Sequence, residues 1–128
     1  MLFRSGVTNY NFQSSTLSGA AFTNPAGRTL EWIGGAVSAA LVNAGTLRIR
    51  AGVSVSGALT LASGGLLQVR GDGSVGGATL SVAQSFMNLG TIELTDKDGG
   101  FGATLLVASG SVLTNGATGV VKIGRAHV

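Results

Sequence analysis

The chain has no cysteine and a single proline in 128 residues, and only 10% of it is charged. Without cysteine there is no disulfide scaffold and no cysteine zinc site. Eight basic residues against five acidic ones leave a formal charge of +3. That excess is too small and too scattered for the basic stripe that binds nucleic acid. With 45% hydrophobic residues, the chain is also too apolar and too weakly charged for intrinsic disorder. No apolar run approaches the roughly 18 residues of a membrane span, so no membrane insertion by this segment is expected. The opening MLFRSGVTNYNF lacks the apolar core of a signal peptide. The expectation is a chain that is either not secreted or has lost its true beginning. What is abundant is glycine, 22 residues of it. It follows no three-residue period, which excludes collagen.

The glycines belong to a repeated phrase. FTNPAGRTLEW, LVNAGTLRI, LASGGLLQV, FMNLGTIEL and LTNGATGVVKI align on a polar column formed by Asn24, Asn43, Ser63, Asn88 and Asn115. The steps between them are 19, 20, 25 and 27 residues. Two residues upstream sits Phe22, Leu41, Leu61, Phe86 or Leu113, and downstream a glycine precedes an alternating apolar pair. The pairs are Leu30/Trp32, Leu47/Ile49, Leu67/Val69, Ile92/Leu94 and Val121/Ile123, with two extra residues before the pair in the first and last copies. Alternation with a period of two is the strand signature, and Asn and Gly accept left-handed turn geometry. A second apolar run precedes most columns: Leu17, Val37, Val55 with Leu59, Leu80 with Val82, and Leu105 with Val107.

Short strands in units of 19–27 residues, joined by small-residue corners, describe the rungs of a β-solenoid. One rung cannot bury its inward face alone, and stacking does so. Five to six rungs at the inter-strand spacing give a rod about 25 Å tall. The asparagines are then expected to form a structural ladder, amide to amide, with Ser63 substituting in one rung. The expected core is Phe22, Leu41, Leu47, Ile49, Leu61, Leu67, Val69, Phe86, Ile92, Leu94 and Leu113. Residues 1–11 are expected to form an irregular segment or partial rung, and residues 12–122 the solenoid. The rival architecture is an antiparallel β-sandwich, which also shows short strands at regular spacing. It has no need of one column residue in every rung.

FTN…GRTLEW, LVNAGTLRI and FMNLGTIEL, with their glycine-rich corners, resemble the right-handed parallel β-helix repeats of bacterial surface proteins. The likeness is to filamentous-haemagglutinin-like adhesins and autotransporter passenger stalks, and it spans most of residues 12–123. It implies a cell-surface or extracellular, structural or adhesive segment of a larger protein. Its partners would be neighbouring rungs of the same chain and host or matrix glycans or proteins. The alternative within the same architecture is a carbohydrate-binding or polysaccharide-degrading module. The last six residues, IGRAHV (residues 123–128), resemble a translated sequencing adapter and are expected to lie outside the natural protein. They hold the only histidine, His127.

Four motifs carry candidate chemistry. Gly71–Gly76, GDGSVG, fits the dinucleotide spacing G-x-G-x-x-G, but such a site needs a helix after it, and the following ATLSVAQS alternates like a strand. Asp96 and Asp98 in TDKDGG form a candidate calcium pair, short of the ligands that a calcium loop requires. Arg70–Asp72 spells RGD, an adhesive tripeptide if it is exposed. Glu31 and Glu93 both face outward in one column, with Arg48 and Gln68 between them. That places them about 14 Å apart by strand spacing, beyond the roughly 5–10 Å that paired glycosidase carboxylates span. With no histidine outside the tail, no nucleophilic triad can be assembled. The expectation is a chain without catalysis and without a cofactor.

Overall fold

In a computed structural model the chain forms a parallel β-helix; residues 9–124 are described. Each rung has three faces. The first face is built from the N-terminal parts of β1 (Asn9–Leu17), β3 (Thr29–Val37) and β5 (Thr46–Val55), followed by β7 (Leu66–Gly71), β10 (Thr91–Asp96) and β13 (Val120–Ile123). The second comprises the C-terminal parts of β1, β3 and β5, then β8 (Ala78–Val82) and β11 (Ala103–Val107). The third is a sheet of three-residue strands: β2 (Phe22–Asn24), β4 (Leu41–Asn43), β6 (Leu59–Leu61), β9 (Phe86–Asn88) and β12 (Leu113–Asn115). All pairings between these strands are parallel. No helix occurs among the described residues. A parallel ladder satisfies backbone groups only through the rungs above and below, so the stack, not any single rung, is the folding unit.

The core consists of columns one residue wide. Leu30, Leu47, Leu67 and Ile92 stack on the first face, beside Trp32, Ile49 and Val69. All seven are at most 1% exposed. Leu17, Val37, Val55, Val82 and Val107 form the second-face column. Trp32 lies wholly inside, stacked on Phe12 with ring centroids 4.4 Å apart, and its indole N–H donates to the Ser15 carbonyl at 3.2 Å. Phe22, Leu94 and Leu113 are partly buried and pack against this core.

The corner between the first two faces explains the uneven repeat length. In β1, β3 and β5 the chain turns through residues with positive φ, at Ser14, at Gly34 and Gly35, and at Ala51, and runs on as one strand. In the next two rungs loops are inserted there, so β7 and β8 are separate strands, as are β10 and β11. On the third face the turn after the column has a different constraint. A Cβ on Gly90 would lie 2.4 Å from the Gly65 carbonyl oxygen, and one on Gly45 would lie 2.3 Å from that of Arg28. Rungs meet backbone to backbone there, and only glycine fits.

One expectation needs correction. The residue opposite Asn43 and Asn88 is Leu61, not Ser63, and Leu59 lies opposite Leu41. Ser63 is exposed in the turn Ala62–Gly65. That turn holds four residues between column and strand, as in the rungs of Asn24 and Asn115, whereas the rungs of Asn43 and Asn88 hold two. Aligning on polarity had hidden the two-residue insertion and moved Leu61 into the wrong column. The first strand runs from Asn9, within the segment expected to be irregular or a partial rung, and Tyr10 and Phe12 continue the columns of Leu30 and Trp32. At the other end Ile123, assigned to the tail, extends β13 opposite Leu94 and is 83% exposed. The rest of the tail lies largely outside the described residues.

Candidate functional site

The asparagine ladder exists in two segments. The Asn24 side-chain amide donates to Asn43 Oδ1 at 2.8 Å, and Asn88 donates to Asn115 Oδ1 at 2.9 Å. Leu61 separates them. Each amide also ties down the next turn: Asn43 donates to the Leu66 carbonyl at 2.9 Å and Asn88 to that of Val120 at 3.1 Å. Asn24, Asn43 and Asn88 are fully buried, and Asn115 is exposed in the last rung. A buried amide must be hydrogen-bonded to be tolerated, and here every amide N–H donor group bonds within the stack, while Asn24 Oδ1 is left unpaired at the first ladder position. The column is structural.

Chemistry on the outer surface concentrates on the first face and its corner. Register places Asn11, Glu31, Arg48, Gln68, Glu93 and Lys122 in one outward column. Asn11 donates to Glu31 at 3.0 Å, Arg48 to Glu31 at 3.3 Å and to Gln68 at 2.7 Å, and Gln68 to Glu93 at 2.6 Å. Donors and acceptors alternate up the rod, so the two glutamates are held apart by the residues between them.

Asp72 is the centre of the adjoining corner and is 1% exposed. Its Oδ2 accepts from Arg50 Nε at 2.8 Å. Its Oδ1 accepts from the Ser74 hydroxyl at 2.8 Å and from the Ser74 and Val75 amides at 3.0 Å. The Arg50 hydrogen bond holds the Asp72 carboxyl far below the usual carboxylate range, against the opposing effect of burial. The same bond raises the pKa of Arg50. An RGD presented for adhesion must expose its aspartate, and this one is consumed inside the corner. Nor is the glycine loop a dinucleotide site, because β8 follows it where a helix is required.

The second inserted loop is organised by Asp96. Its Oδ1 accepts from the Asp98 amide at 3.1 Å and the Gly99 amide at 2.9 Å. Its Oδ2 accepts from the Gly100 amide and, at 2.7 Å, from that of Phe101. Burial opposes ionisation, but these four N–H groups outweigh it and lower the Asp96 pKa. Asp98 reaches the first loop and accepts the Gly73 amide at 2.5 Å. Both members of the candidate calcium pair therefore accept backbone N–H groups. No cluster of three metal-ligating side chains occurs among the described residues.

The two inserted loops thus stack as one bump at one corner, latched by Asp98. The Arg50–Asp72 pair was not foreseen from the sequence. Its signal was their separation of 22 residues, close to one rung. The search of family models, of curated proteins and of solved structures found no match to the chain.

Proposed function

We propose that the chain is a non-catalytic stalk segment of a larger bacterial cell-surface or secreted β-solenoid protein, spacing or displaying adhesive parts. One observation carries this reading above the others: the asparagine ladder and the outward Asn11–Glu93 column bond rung to rung, while Asp72 and Asp96 close the inserted loops. Glu31 is engaged by Asn11, Arg48 and Arg50, and Asp72 and Asp96 are saturated by protein donors. Reactive groups are thereby turned into fasteners, which suits a rod under load. Glu31 and Glu93 stand three rung steps apart in their column, about 14 Å at the inter-strand spacing. This disfavours the polysaccharide-degrading alternative, which needs roughly 5–10 Å.

The test is labelling of intact and permeabilised source cells with an antibody raised against the chain. Staining of intact cells is expected. Signal only after permeabilisation overturns the surface reading.

A further inference from the structure

One arginine in this polar network is only loosely paired. The Arg70 guanidinium makes no hydrogen bond among the described residues, and its Nε is fully buried. The nearest carboxylate oxygen, Asp72 Oδ2, is 3.7 Å from Nη2, outside hydrogen-bond range. That oxygen already accepts from Arg50, and Asp72 Oδ1 is filled by Ser74 and Val75. The side chain is 18% exposed, so water reaches one edge of it. Its surroundings are cationic. Arg48, Arg50 and Arg70 share the ion pairs of Glu31 and Asp72, three positive charges to two negative, while Asp96 and Asp98 are turned to backbone amides of the inserted loops. Glu93 lies farther along, bonded to Gln68 and opposite Lys122, so the excess persists. Burial, then repulsion from Arg48 and Arg50, destabilise the charged form of Arg70. Thr95, partly buried, lies opposite Arg70 in the next strand.

A planar guanidinium with unfilled donors, a local positive excess and a neighbouring hydroxyl form the recognition set for an oxyanion. We infer that Arg70, with Thr95 beside it, binds one carboxylate or sulfate group of an acidic solute on the outer first face. This site is independent of the stalk reading, since it would hold whether the rod is displayed or soluble.

The probes are sodium sulfate and sodium acetate, each titrated against chloride at constant ionic strength. The Arg70 Nε–H resonance and the melting midpoint of the whole chain are followed together. The expected result is a saturable shift of the Arg70 resonance and a rise in midpoint that follows the same curve. Arg70→Gln should remain folded, because Arg70 makes no hydrogen bond, and should lose the rise in midpoint. Arg70→Lys should bind several-fold more weakly, keeping charge but losing the planar fork. Saturation by sulfate alone assigns a tetrahedral group, and saturation by acetate alone a carboxylate. A response that is linear with both salts, or that persists in Arg70→Gln, overturns the site.

Discussion

Leu61 and Ser63 are two residues apart and have opposite fates. Leu61 is 1% exposed inside the asparagine column, and Ser63 is on the surface of a turn. Leu61→Ala should therefore cost about 2–5 kcal/mol through lost burial and an unfilled cavity. Ser63→Ala should stay within about 0.5 kcal/mol, as surface positions do. Chemical denaturation of the two variants checks the register directly, and a costly Ser63→Ala would contradict it. Asp72 sets a second expectation. Its folded pKa lies below its unfolded value of about 3.9, so the carboxylate stabilises the fold fully only above that value. Stability should fall as pH drops below about 4, and continue to fall toward the depressed folded pKa. Asp72→Asn should start less stable at neutral pH and show a flatter acid limb in melting curves from pH 2 to 7. An unchanged limb would mean that the Arg50 pair does not form in solution.

At the scale of strands and turns, the fold depends on places where rungs touch through backbone alone. Gly90→Ala puts a methyl group 2.4 Å from the Gly65 oxygen, and both atoms belong to hydrogen-bonded turns that cannot easily yield. The expected cost is about 3 kcal/mol, measured by thermal unfolding. Asp98→Ala acts differently, because it unlatches one exposed loop from another. It should raise the hydrogen-exchange rate of the Gly73 amide while changing global stability by about 1 kcal/mol or less. The first-face strands were legible in the sequence because Leu47/Ile49 and Ile92/Leu94 alternate strictly beside an Asn–Gly turn. The second-face valines were visible for the same reason, apart from Leu59, which the structure moves to the third face. What stayed hidden was register through insertions. Nothing local distinguishes a rung with a four-residue turn from one with a two-residue turn and a substituted column. Nor does spacing show that the GDGSVG loop folds back to bury Asp72 against Arg50, because that contact depends on where the inserted loop is allowed to lie.

Across the whole molecule stability is distributed along an axis. The middle rungs are covered above and below, whereas the last rung leaves Val121 46% and Ile123 83% exposed on what would be its inward side. Nearest-neighbour stacking then predicts a gradient rather than a single transition. Native-state hydrogen exchange should protect β5 and β7 most, and β11, β12 and β13 least, with protection falling rung by rung. Uniform protection across these strands would mean that the rod unfolds as one unit.

The single-residue columns have a consequence for how such a gene can change. Each rung presents its neighbours with the same backbone ladder that it receives from them. An in-frame duplication or loss of one whole repeat by unequal crossing-over keeps the parallel backbone ladder intact and changes only which side chains share a column. It alters the reach of the rod in quanta of about 4.8 Å. Insertions of other lengths are confined to corners: long ones between the first two faces, and two-residue ones in the turn after the asparagine column. Length can thus be selected almost independently of sequence, by counting repeats.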